Sequence, residues 1–69
     1  MIIDEVEREV LHEIAGKHNF LPSIQEGGGT VRVTPHRYKG TNGEEYEWRE
    51  ARKDMERRAE RKGYELTVG

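Results

Sequence analysis

Apolar residues recur at helical spacing near the start of the chain, and this pattern constrains the fold more than any other feature of the sequence. At about 100° per residue, one narrow arc contains Ile3, Val6, Val10 and Ile14, with Leu11 beside it. Asp4 is a suitable N-cap, and acidic residues fill the opening turns, where the helix dipole favours them. The pattern predicts an amphipathic helix over residues 4–17 that buries this stripe.

Three consecutive glycines, Gly27 to Gly29, separate two extended segments. They predict a tight turn, because a run of glycine breaks any regular element. Before them, residues 20–24 are compatible with a short edge strand interrupted by Pro22.

Residues 30–38 alternate between apolar and polar side chains, which predicts a strand. Val31 and Val33 would face inward, and Arg32, Thr34 and His36 would face outward. Pro35 then has to lie at an edge or a bulge, since it cannot donate a hydrogen bond to a neighbouring strand.

The next segment has two readings. Asn42-Gly43 is a hairpin turn signal, so we expect a return strand over residues 44–48 with Tyr46 and Trp48 on one face. The alternative starts the second helix at Glu44. Trp48 is expected to be a core residue, with an exposed anchor for a partner as the alternative.

A second helix is predicted over residues 49–62, with its apolar residues Ala51, Met55 and Ala59 at four-residue spacing. Its many basic residues alternate with acidic ones, which is more typical of a solvated surface than of a polyanion-binding ridge. Gly63 ends this helix, and residues 64–68 alternate as a final half-buried strand.

These elements predict an α+β fold, in which two helices pack on one face of a small antiparallel sheet of three or four strands, in the order α-(β)-β-β-α-β. With 69 residues, 32% of them apolar and 38% charged, we expect one small domain over residues 1–69 with a thin core. The absence of cysteine excludes disulfides and thiolate zinc sites. Since no segment resembles a signal peptide or a membrane span, we expect a cytoplasmic protein.

The spacing of Arg8 and His12 is the most specific hint of function. Four residues apart, they share a helix face opposite the apolar stripe, where a guanidinium and an imidazole can together bind an anion such as phosphate. The competing interpretation is a surface ion pair of Arg8 with Asp4 or Glu5.

The sequence offers no catalytic constellation. No local signature places a serine or threonine beside a histidine and an acid, and the spacing of His12, His18 and His36 favours no metal site. We therefore expect a protein that is not an enzyme and that uses no cofactor.

The segment over residues 8–34 resembles the Arg-x-x-x-His domain family, small modules that bind single-stranded nucleic acid. The features that match, in the family's order, are Arg8, His12, Ala15, the turn Gly27 to Gly29, and Val31 with Val33. The resemblance implies that Arg8 and His12 bind phosphate or a base edge and that the glycines allow close backbone approach. A helix and a strand that usually precede the motif would here be residues 49–62 and 64–68, which implies a circular permutation or a different fold.

Two functions follow from these observations. The first is non-enzymatic binding of single-stranded RNA or DNA, in which Tyr38 stacks on a base and cations follow the backbone. The candidate contact residues are Arg8, His12, Gly27, Gly28, Gly29, Arg32, His36, Arg37, Tyr38 and Lys39. The second is a protein-interaction module, a regulator or inhibitor that binds a protein partner through a mixed-charge surface. Either protein is expected to be a monomer or a homodimer.

Overall fold

The computed structural model describes residues 2–41 and 43–69. Within them the chain forms two helices and one three-stranded sheet, an α+β arrangement as predicted. The elements are, in order, α1 (Glu5–Lys17), β1 (Phe20–Gly27), β2 (Thr30–Tyr38), α2 (Glu44–Lys62) and β3 (Leu66–Val68).

Helix α1 begins where predicted, but a different face of it is buried. The Asp4 side chain caps the helix by accepting a hydrogen bond from the Glu7 backbone N–H. The buried residues of α1 are Glu7, Leu11 and Ala15, an arc rotated by roughly a quarter turn from the predicted stripe, while Ile3, just before the helix, is buried as predicted. Val6, expected in the core, is 68% exposed. The rotation has a physical cause in Glu7, whose carboxylate is paired inside the fold and so is kept on the buried side.

Strands β1 and β2 form an antiparallel hairpin closed by the glycine turn. Gly28 and Gly29 have φ values of +61° and +79°, the left-handed conformations that a two-residue hairpin turn requires. Strand β1 is longer than predicted and continues to Gly27. It lies at one edge of the sheet.

Both prolines lie at an irregularity of this hairpin. The register shifts between Leu21 and Pro22, so that Leu21 pairs with Arg37 while Pro22 pairs with Pro35. The expectation that Pro35 lies at an edge or a bulge is confirmed.

The predicted strand over residues 44–48 is wrong, and the alternative that starts the helix at Glu44 is confirmed. Three glutamates occupy the first turn of α2, where the helix dipole favours negative charge. Trp48 extends the spacing of Ala51 and Met55 by one turn, so the apolar stripe favours a single long helix. Asn42, half of the proposed hairpin turn, lies outside the described residues.

Strand β3 pairs with β2 in parallel, so the sheet is mixed and not wholly antiparallel. Gly63 ends α2 in the left-handed conformation, as predicted. The chain then turns and runs alongside β2 in the same direction, because a helix has already carried it back across the sheet.

The core lies between the two helices and one face of the sheet. It contains Ile3, Leu11, Val31, Val33, Ala51 and Met55. Trp48 packs against it; its ring meets that of Phe20 edge-on at 4.8 Å between centroids, and its indole N–H donates to the Gly69 carbonyl. Trp48 is thus part of the packing, as the preferred interpretation held. Neither helix in the described ranges combines the length and apolar character needed to cross a bilayer.

Candidate nucleic-acid interface

The face of the sheet opposite the helices is uncovered, and we call it the open sheet face. Side chains alternate across a strand, and directly paired residues share a face. Because Val31 and Val33 point into the core, the residues between them point outward. The cross-strand register then gives the outward set as Leu21, Ser23, Gln25 and Gly27 on β1, Thr30, Arg32, Thr34 and Arg37 on β2, and Thr67 on β3.

Arg32 lies at the centre of this face. It pairs across the sheet with Gln25 on one side and Thr67 on the other. These residues line a shallow depression together with Glu26, Gly27, Gly28 and Thr30, and the Glu26 carboxylate is paired with Arg8. An exposed guanidinium at the centre of a row of amide and hydroxyl groups can bind an oxyanion, because each neighbour supplies a further hydrogen-bonding group.

The charge of the open sheet face is positive, although the whole chain has a formal net charge of −2. Among the outward-facing strand residues that the structure describes, the charged ones are Arg32 and Arg37. Glu26, between Gln25 and Gly27 on β1, points to the opposite face and pairs with Arg8, and Glu65 lies immediately before β3. No salt bridge between described residues involves Arg32, Arg37 or Lys39. Their charges are therefore available to a ligand.

The glycine turn lies beside the depression. A Cβ atom at Gly28 would meet nothing within 4 Å, so the backbone here is open to approach. The positive φ angles of Gly28 and Gly29 already explain the choice of glycine. Contact of this turn with a ligand stays a prediction.

Tyr38 does not lie on the open sheet face. Its partner across the hairpin is Phe20, and the two rings pack at 4.8 Å between centroids. The Tyr38 hydroxyl and the Asn19 amide, the latter with the larger effect, hold the pKa of Glu47 below its usual value. A base stacked on this ring would have to displace packing between β2 and α2, so the structure gives no support to the predicted stacking role.

Arg8 was expected to project into solvent, but its side chain forms hydrogen bonds within the fold. Its guanidinium donates to the Ile24 carbonyl at 3.0 Å and to the Glu26 carboxylate at 2.6 Å. The ion-pair interpretation was right in kind, but the partner is Glu26 and not Asp4 or Glu5. Arg8 therefore fastens α1 to the edge strand β1.

His12 is exposed on α1 and lines a small hollow with Arg8 and Val6. Because α1 packs on the inner side of the sheet, Arg8 and His12 do not join Arg32 in one surface. His36 and Arg37 are both exposed near the register shift of β2, and Lys39 follows directly after the strand. The residues predicted to contact nucleic acid therefore lie on two separate surfaces.

Sequence reasoning missed the uncharged members of the open sheet face, above all Gln25 and Thr67. The signal was present in the alternation of residues 22–27 and 64–68, but it identifies a face only once the strand pairing is known. Among the described residues, no group of three or more His, Asp or Glu side chains is placed to hold a metal ion. His18 instead pairs with Asp54 at 2.9 Å.

Glu26 accepts hydrogen bonds from the Ile2 and Ile3 backbone N–H groups at 2.7 and 3.3 Å, in addition to the bond from Arg8. The Ile2 N–H has the largest effect in lowering the pKa of Glu26, followed by the Ile3 N–H and Arg8. Glu26 thus holds the N-terminal segment and α1 against β1 while its carboxylate is ionised.

Acid is expected to destabilise the protein through this group. Because the pKa of Glu26 is lower in the folded state, its contribution is present above the unfolded value near 4.5 and is lost as the pH falls through the folded value. Thermal unfolding followed by circular dichroism should show a constant midpoint from neutral pH to about 5 and a steep fall below. Glu26→Gln should lower the midpoint at neutral pH and flatten that fall, whereas Glu56→Gln on the exposed face of α2 should leave the profile unchanged. A Glu26→Gln profile parallel to wild type would contradict the assignment.

Comparison of this chain with models of protein families, with curated protein sequences and with solved structures gave no match.

Proposed function

We propose that this protein is a non-enzymatic binding module for single-stranded nucleic acid and that the open sheet face is its contact surface. The observation that supports this most directly is the placement of Arg32 and Arg37 on an uncovered face whose strands present no outward carboxylate. Elsewhere the surface that the structure describes is acidic or, as along α2, mixed in charge, which favours attraction of a polyanion to this face.

The chemistry of the face favours phosphate and sugar over bases. Its outward residues in the described strands include no aromatic side chain, so stacking, which supplies much of the affinity of many single-strand binders, is missing. Guanidinium, hydroxyl and amide groups instead suit phosphate oxygens and sugar hydroxyls. Binding should therefore be weak in sequence preference and sensitive to salt.

A flexible single strand suits this surface better than a duplex. The face is only three strands wide and shallow, and neither of the helices in the described residues projects from it to enter a groove. A single strand can bend to bring successive phosphates to Arg32 and Arg37, whereas a rigid duplex meets a flat surface with few contacts.

Removing the two arginines should abolish binding. We expect the Arg32→Ala/Arg37→Ala double variant to lose most of its affinity for labelled single-stranded RNA and DNA in a fluorescence anisotropy titration. Wild-type affinity should fall by roughly tenfold between about 50 and about 200 mM salt, because only a few phosphates are neutralised.

The matched control is Arg49→Ala/Arg52→Ala, which removes two exposed cations of α2 and leaves the sheet unchanged. An equal loss in both double variants would show general charge attraction and would overturn the assignment to the open sheet face. His12→Ala tests the contact that the family resemblance implies, since His12 is exposed and its replacement leaves the Arg8–Glu26 pair in place. Absence of wild-type binding at low salt would exclude the proposed function.

A second candidate is a protein-interaction module, and a different surface supports it. Val6 is 68% exposed, and Val10 and Ile14 are only half-buried. An apolar row left uncovered on a helix is typical of a surface that contacts another protein.

A further inference from the structure

The uncovered apolar row on α1 borders a groove between the two helices. Its lining includes Val10 and Ile14 with Glu13 and Lys17 from α1, and Asp54, Arg57, Arg58 and Arg61 from α2. Val6 continues the row by one turn toward the start of α1. We call this surface the α1–α2 groove.

Most charges on the two sides of the groove are opposite in sign, and the exceptions are Lys17 on α1 and Asp54 on α2. On α1, Glu9 and Glu13 are exposed beside the apolar row, and on α2, Arg57 and Arg61 are exposed along the facing rim. Among the described residues Arg57 forms an ion pair with Asp54 alone, at 3.5 Å and with 73% of the Arg57 side chain exposed, which is a weak surface pair. An occupant that suits the groove must therefore offer apolar side chains, acid opposite α2 and base opposite α1.

Contacts between the two helices follow opposite directions along the chain. Near its start, α1 contacts the last third of α2 through Glu7 and Arg58, while just after its end His18 contacts Asp54, one turn earlier on α2. The second half of α1, with Ile14 and Lys17, therefore lies near Asp54 and Arg57, and Arg61 lies toward its first half.

We propose that the α1–α2 groove is the interface of a homodimer whose two-fold axis runs along the groove. Rotation about such an axis places α1 of each copy over α2 of the other. Glu9 and Glu13 of one copy then face the partner's Arg61 and Arg57, and the apolar rows of both copies meet between them. The groove is thus complementary to itself, which a two-fold interface requires. A second copy of this chain supplies all three of the features that the occupant needs.

The charge pattern allows a test by reversal. Glu9→Arg/Glu13→Arg makes both rims predominantly basic, and Arg57→Glu/Arg61→Glu makes both rims predominantly acidic. Each variant alone should be monomeric in sedimentation velocity over a dilution series in which the wild type dimerises, since like charges then face each other. An equimolar mixture should form a heterodimer, because every basic rim now faces an acidic one.

A merely structural role of these residues within one chain would not make the two variants associate. A wild type that stays monomeric at every concentration, or a mixture that stays monomeric, would overturn the proposal; the uncovered row would then suit a different protein. Circular dichroism checks that both variants are folded.

A second test of the homodimer does not depend on the charged residues. Val6→Lys should raise the dimer dissociation constant by more than about tenfold, because it brings a charge into the apolar row of the interface. Leu21→Lys is the matched control, since Leu21 is an exposed apolar residue, 41% exposed, on the open sheet face. Equal dimerisation of the Val6→Lys variant and the wild type would also overturn the proposal.

Discussion

The Arg58→Met variant is expected to be largely unfolded at room temperature. The Arg58 guanidinium donates two hydrogen bonds of 2.8 Å to the Glu7 carboxylate, which also accepts one of 2.8 Å from the Tyr64 hydroxyl. Only 10% of the Glu7 side chain is exposed. Removing the cation leaves this carboxylate buried without its counter-charge, a change that costs about 3–5 kcal/mol. A domain of this size derives only about that much stability from its core.

The pKa values of this cluster point the same way. Arg58 has the largest effect in holding the pKa of Glu7 below its usual value, and Tyr64 adds to it. Burial, followed by the Glu7 carboxylate, raises the pKa of Tyr64, so the phenol stays protonated and continues to donate. The cluster joins α1, α2 and the segment that leads into β3, so we expect a single replacement in it to affect the whole fold.

Urea denaturation measures the effect of Arg58→Met, with Arg57→Met as the matched control. Arg57 is 73% exposed and pairs with Asp54 one turn away, so its loss should change the free energy of unfolding by no more than about 0.5 kcal/mol. Glu7→Leu/Arg58→Met should recover much of the stability lost by Arg58→Met, because it removes the buried charge together with its partner. Equal stability of the Arg57→Met and Arg58→Met proteins would contradict this account of the cluster.

Local signals in the sequence were enough to identify most elements. The helix over residues 4–17, the strand over residues 30–38 and the glycine turn each depend on patterns within a few residues of one another. The end of α2 at Gly63 belongs to the same class. These features are set by backbone preference and side-chain periodicity, which act locally.

What could not be predicted depends on distant partners. The burial of Glu7 could not be read from its neighbours in sequence, because its partners Arg58 and Tyr64 lie 51 and 57 positions away. Arg8 looked free for a ligand for the same reason, since Glu26 is 18 positions distant. The parallel direction of β3 depends on residues 44–48 being helical, so the error in that segment also affected the sheet.

The residues of the candidate site divide in the same way, into those that local signals predict and those that depend on distant partners. Alternation in residues 30–38 correctly predicted Arg32 as outward-facing. The assignment of Tyr38 to the same surface failed because the register shift opposite the two prolines places it with Phe20 on the inner side. Arg8 and His12 were assigned by their spacing on one helix, which says nothing about the face of the sheet on which that helix packs.

The rotation of α1 leads to the second large effect, which is expected for Leu11→Ala. Leu11 is completely buried, and truncating such a residue to alanine costs about 2–5 kcal/mol through lost burial and the cavity that remains. That loss is comparable to the whole stability expected of so small a core. Val6→Ala, by contrast, should change the free energy of unfolding by no more than about 0.5 kcal/mol, because Val6 is 68% exposed.

Together, Leu11→Ala and Val6→Ala determine which face of α1 packs on the sheet. The apolar spacing of the sequence favoured Val6 as a core residue, whereas the fold exposes Val6 and buries Leu11. Urea denaturation at a concentration where the protein is monomeric keeps any contact of Val6 with a second copy out of the comparison. A large loss for Val6→Ala with a small one for Leu11→Ala would mean that α1 packs through the predicted stripe. Glu7 would then face solvent, Arg58→Met would have little effect, and the groove proposed for dimerisation would already be filled by the fold itself.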